Sequence, residues 1–203
     1  MTEALIFAAG CAYAAALWLI AARVARRRAL ALGQFPHWVI LLCGCAALGV
    51  HAIVRPEAAL VAAASLVGAI VCALVDARTG FIFDALSCTM IVVGCVAGAL
   101  AGRLADGVLA AAVVAGALTG LYLVTGRRGI GLGDVKLGGA IALGYGLGIA
   151  LVAIGSAFVL GALYAVVMIA SGRAKRSDAV RFGPFLAGGA AIGLTAGALS
   201  GSW

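Results

Sequence analysis

Residues Asp134 to Ala170 read DVKLGGAIALGYGLGIALVAIGSAFVLGALYAVVMIA. As one helix these 37 residues would be about 55 Å long. The hydrocarbon core of a bilayer is about 30 Å thick and needs roughly 20 apolar residues to cross. The run carries only two charges, Asp134 and Lys136, both at its start. It is too apolar for a soluble helix and too long for one crossing. The segment Gly144-Tyr145-Gly146-Leu147-Gly148 supplies a turn. That divides the run into a short span, Asp134–Tyr145, and a long one, Gly148–Ala170.

The rest of the chain has the same character. Of its 203 residues, 66% are hydrophobic and 10% charged, against roughly 45–50% and about 25% in soluble domains. Neither a water-soluble globule nor a disordered chain fits that balance. Thirty glycines against three prolines point to long helices packed closely through small residues. The apolar/polar alternation of a transmembrane barrel is missing. Further spans read as Ala4–Ala22, Trp38–Val54, Ala58–Val75, Ala85–Leu100, Val108–Val124 and Gly183–Ser200, with Pro36, Pro56 and the glycines of Gly126–Gly133 in the connectors. The expected fold is all-α: a polytopic membrane helix bundle of about eight spans, one of them short. It forms a single integral membrane domain over residues 1–203, with no internal repeat.

The net charge of +7 then acquires a simple meaning. Glu3 precedes the first span, while Arg23, Arg26, Arg27 and Arg28 follow it. A secretory signal peptide has the reverse order, so the span is read as retained, with the N-terminus outside. Threading eight spans from there puts those four arginines on the cytoplasmic side, together with Arg78, Arg127, Arg128, Lys136, Arg173, Lys175, Arg176 and Arg181. Only Arg55 and Arg103 fall outside. Fusing the two spans of the opening stretch would move the Arg173–Arg181 group outside and break this positive-inside pattern. The charge therefore encodes topology, and nucleic acid is not expected as a partner. The six cysteines lie in apolar runs without a CxxC pair and read as small buried residues. His37 and His51 are isolated and read as interfacial. Neither a metal site nor a cofactor is indicated.

Seven acids remain. Glu3, Glu57 and Asp106 fall in outside loops, and Asp178 sits among the basic residues of the Arg173–Arg181 loop. Asp76 ends the apolar run Val61–Val75. Asp134 follows Gly129-Ile130-Gly131-Leu132-Gly133 and opens the short span, on the same membrane face. Ionisable groups at membrane depth are costly and commonly functional. Two carboxylates on one face, borne by different helices, could converge on one water. From position alone, Asp134 could equally be a helix N-cap, and Asp76 could pair with Arg78. Gly131 and Gly133 would let the backbone approach a neighbour or a substrate closely.

The string Gly131-Leu132-Gly133-Asp134-Val135-Lys136-Leu137 resembles the GxGDxKL signature of the type IV prepilin leader peptidases. Asp76-Ala77-Arg78-Thr79-Gly80-Phe81-Ile82-Phe83-Asp84 is similar to that family's first aspartate motif, and Arg181-Phe182-Gly183-Pro184-Phe185-Leu186-Ala187 to its C-terminal FGPFLA element. Phe83 stands where the family usually has proline, and Asp84 where it often has asparagine. The four-cysteine zinc segment of the family's long forms is missing after the first span. The chain thus resembles the short form that serves Flp-type, tight-adherence pili. Presenilin-like enzymes share the GLGD tetrapeptide, but their Tyr-Asp pair and Pro-Ala-Leu motif do not occur here.

The resemblance implies an aspartic endopeptidase of the cytoplasmic membrane that cuts the basic leader from prepilin or Flp-type pilin precursors. Asp76 and Asp134 would be catalytic, and Gly131, Gly133 and Lys136 would bind substrate or shape the site. Neither a metal nor a cofactor is required. Helix dipoles suggest Asp134, at a helix start, as the usual base, and Asp76, at a helix end, as the usual proton carrier. Two other classes fit the same acids: a small proton- or cation-coupled transporter using Asp76 and Asp134, and a non-catalytic subunit of a pilus or secretion assembly.

Overall fold

The computed structural model describes residues 2–34, 36–127, 129–173, 175 and 180–201. Among them eight helices and no strand occur: α1 (Thr2–Arg27), α2 (His37–Ile53), α3 (Pro56–Thr79), α4 (Asp84–Leu100), α5 (Leu104–Val124), α6 (Leu132–Tyr145), α7 (Leu147–Ala170) and α8 (Gly183–Ser200). Five are long and apolar enough to cross a membrane, and α2 and α4 are shorter apolar helices. The polytopic helical bundle is as expected. Arg128, Arg176 and Asp178, read above as part of one charged face, lie outside the described residues.

The opening stretch does divide. α6 stops at Tyr145, and Gly146, at φ 74° and ψ 168°, turns the chain into α7. A side chain at that φ would be strained, which is why glycine serves there. α6 has 14 residues, about 21 Å of helix, so it is too short to span the hydrocarbon alone. Its position compensates for its length. From Leu137 to Tyr145 every residue is buried, and α3, α4, α5, α7 and α8 all pack on it. Its C-terminal end, through the break at Gly146, is buried in protein, the condition under which helices break at membrane depth.

Small residues allow this packing. A Cβ on Gly144 would run into Ser65 of α3, one on Gly107 into the Leu143 carbonyl, and one on Gly189 into the Ala153 carbonyl. The last contact belongs to the α7–α8 seam, the most extensive helix pair in the bundle.

Two boundaries differ from the sequence reading. α1 runs on through Arg27, and α3 through Thr79, so Asp76 lies inside the last turn of its helix. Arginine stems lie along an apolar helix while their heads reach water, so charge does not end a helix at the interface. The cysteines also differ in part. Cys43 and Cys72 are buried, whereas Cys45 and Cys88 are exposed on the outer surface of the bundle. For a membrane protein that surface faces lipid, where a small apolar residue is equally at ease.

Candidate active site

Asp76 is 5% exposed, a buried acid among apolar neighbours. Its helix closes on Gly80, in the left-handed region at φ 71°, whose N–H donates to the Asp76 carbonyl at 2.8 Å. The Asp76 side chain faces a different element. Its Oδ2 accepts the backbone N–H of Gly183 at 2.9 Å, the first residue of α8. The fit is close: a Cβ built on Gly183 would stand 2.8 Å from that oxygen and 2.9 Å from the Asp76 Cβ. Arg181, just before α8, donates to the Ala77 carbonyl and lies within electrostatic range of Asp76.

Asp134 is half-buried in the first turn of α6. It is not the N-cap. Gly131 holds that position, and Asp134, three residues on, accepts the Gly131 N–H on Oδ2 at 3.1 Å. This is the carboxylate half of a capping box, since glycine has no side chain to return the bond. A Cβ on Gly131 would come 3.1 Å from the same Oδ2, and one on Gly133 would stand 2.9 Å from the Ile82 Cβ. Both glycines thus leave room for the acid and for the Gly80–Phe83 connector. The Asp76 and Asp134 carboxylates lie within electrostatic range of each other.

The neighbouring cations do not bind either acid directly. Arg78 donates to the carbonyls of Leu32 and Gln34, at 3.0 and 2.9 Å, and stacks over Trp18 with 5.2 Å to the ring centroid. The alternative pairing of Asp76 with Arg78 is therefore not made. Lys136 reaches Asp84, Nζ–Oδ1 2.7 Å. Residues two apart on a helix point to different sides, so Lys136 turns away from Asp134. Phe83, the residue in place of proline, is fully buried at φ −74° and ψ 132°, a φ that proline itself adopts. The connector keeps a proline-like course without the ring.

The dipole asymmetry suggested by the sequence does not survive the geometry. Asp134 does sit at a helix start and Asp76 in a helix end, but the Asp76 carboxylate also faces the N-terminus of α8. Both carboxylates accept a backbone N–H at a helix start, so helix dipoles no longer assign base and proton carrier. Gly183, Arg181, Ile82 and Asp84 join the candidate site, and sequence reading assigned none of them a role there. The FGPFLA resemblance spans the first two, and the first-aspartate resemblance the other two.

A polytopic helical membrane protein with two carboxylates on separate helices, within electrostatic range of each other, is the class that fold and site define. A family model described as the type IV leader peptidase family matches residues 63–166, more than half of the chain. The chain belongs to the type IV leader peptidase family, and is accordingly a protease, a hydrolase of peptide bonds. The matched segment holds both aspartates, Gly131, Gly133, Lys136 and Asp84, and ends before Arg181 and Gly183. Comparison with curated proteins and with solved structures gave no match.

Proposed function

We propose that this chain is an aspartic endopeptidase of the cytoplasmic (inner) membrane that removes the basic leader from prepilin-like precursors, Flp-type pilins among them, at the cytoplasmic face. The observation that carries the reading is the approach of Asp76 and Asp134 within electrostatic range at one end of the bundle, in a chain of a leader peptidase family. In this reading the two carboxylates interact strongly enough to share one proton. The ionised member takes a proton from water, and the water oxygen attacks the scissile carbonyl. The protonated member donates a hydrogen bond to that carbonyl and then supplies the proton that the departing amine needs. The pair titrates as a unit rather than as two independent acids. Gly131, Gly133 and Lys136 shape the site: the first seats the Asp134 carboxylate, the second admits Ile82, and the third holds Asp84.

The distribution of charge supports this membrane side. Arg78, Lys136 and Arg181 are tied to the end that bears the acids, while Arg103 pairs with Asp106 at the other. Positive charge gathers on the cytoplasmic side. A precursor whose apolar segment lies in the bilayer would present its leader there. The transporter and assembly-subunit readings gain nothing from the family match, and both predict an uncut precursor. Co-expression of this chain with a tagged prepilin, followed by gel mobility and N-terminal sequencing, tests the proposal. A shortened precursor that begins at the leader boundary is the expected result; an intact precursor beside a membrane-inserted chain would overturn it.

A further inference from the structure

The ion pair between Asp84 and Lys136 joins residues 52 positions apart, 2.7 Å from Oδ1 to Nζ. Asp84 opens α4 and Lys136 lies in the second turn of α6, so the bond ties the starts of two helices. Between Asp76 and Asp84 runs the connector Gly80–Phe83, and each of its residues is held. Thr79 Oγ1 donates to the Val75 carbonyl at 2.9 Å and accepts the Phe81 N–H at 3.2 Å. Ile82 fills the space left open by Gly133, and Phe83 is buried beneath the Arg28 guanidinium, 5.9 Å from its ring centroid.

The contacts therefore close a ring. It runs from Asp76 along the connector to Asp84, across the ion pair to Lys136, and back along two residues of α6 to Asp134. Lys136 and Asp84 are 44% and 65% exposed at the side chain, so neither is needed to fill the core. Their attachment, through the connector to Asp76 and through two residues of α6 to Asp134, gives the pair leverage over where the acids stand.

We infer that Asp84 and Lys136 are positioning residues: their ion pair clamps α4 to α6 over the connector and sets the placement of Asp134 relative to Asp76. The inference rests on the proposed dyad and adds a role for a pair that touches neither the water nor the scissile bond. An exposed pair contributes little, so the expected loss is modest and falls on turnover. Leader cleavage by the reconstituted enzyme should show kcat about fivefold lower in Asp84→Asn and in Lys136→Met, with KM within about twofold. Lys136→Arg should keep nearly full kcat, because the ion pair survives. In the double variant Asp84→Asn/Lys136→Met the loss should stay near fivefold instead of multiplying to about 25-fold, because both changes remove one shared interaction. Amide exchange over Gly80–Phe83 should quicken equally in the three weakened variants, a readout that does not depend on activity.

Multiplying losses, an unchanged kcat in either single variant, or a rise in KM alone with Lys136→Met would overturn the clamp. So would unaltered exchange in the connector. Asp76→Asn assayed in parallel separates the two levels. If it cleaves normally, the dyad itself is wrong; if it is inactive while the losses multiply, only the clamp fails.

Discussion

Asp76 and Gly183 meet across 107 positions of sequence through a single hydrogen bond, and the absence of one carbon atom makes that meeting possible. A methyl group at Gly183 would stand 2.8–3.1 Å from three Asp76 side-chain atoms, closer than packed atoms tolerate. The carboxylate would have to swing or α8 would have to retreat. Displacements near 1 Å in a catalytic group cost on the order of 10²-fold in rate, while overpacking by one methyl costs roughly 1–3 kcal/mol. Gly183→Ala should therefore lower leader cleavage by about 10²-fold while the protein still extracts folded in detergent. Cleavage assays beside a melting curve would show this, and near-normal turnover would argue that Asp76 does not depend on its α8 contact. Sequence alone could identify both aspartates, since charge in an apolar run stands out. It could not identify the role of Gly183, because a backbone N–H has no sequence signature.

At the scale of elements, the connector between α1 and α2 hangs on α3. Arg78 donates to the Leu32 and Gln34 carbonyls and lies over Trp18 of α1, so one guanidinium joins three segments. Hydrogen bonds from charged groups contribute about 1.5–3 kcal/mol each when sheltered, and less at this exposed edge. Arg78→Ala should lower the melting temperature in detergent by several degrees, with turnover at low temperature changed less than twofold. A strong loss of turnover without loss of stability would instead assign Arg78 to the site. Helix number and order were legible because bilayer thickness sets the length of each apolar run, and the break at Gly146 followed from the same arithmetic. The ends of α1 and α3 were not legible, because the helix outlasts the apolar run where arginine side chains reach the interface. The partner of Lys136 was equally hidden: nothing local links α4 to α6, and only the fold makes neighbours of Asp84 and Lys136.

On the scale of the whole molecule, α6 is the axis. It is short, buried from Leu137 to Tyr145 and packed on by five other helices, and its first turn carries one acid while α3 and α8 bring the other. The two ends of the bundle differ in charge, with Arg78, Lys136 and Arg181 at the acid-bearing end and the Arg103–Asp106 pair at the opposite one. Single cysteines placed in a cysteine-free background at Thr79 and at Gly102 should accordingly react with an impermeant thiol reagent from opposite sides of sealed inner-membrane vesicles, Thr79 from the cytoplasmic side. Labelling of both from one side would refute the topology. In the proposed mechanism Asp76 and Asp134 together activate water, and cleavage kinetics of the purified, reconstituted enzyme probe this step. Wild type, Asp76→Asn and Asp134→Asn should be compared at matched folded content on one precursor. Each variant should lose at least about 10³-fold in kcat without losing its fold; cleavage by either within tenfold of wild type would contradict a shared role for the two acids.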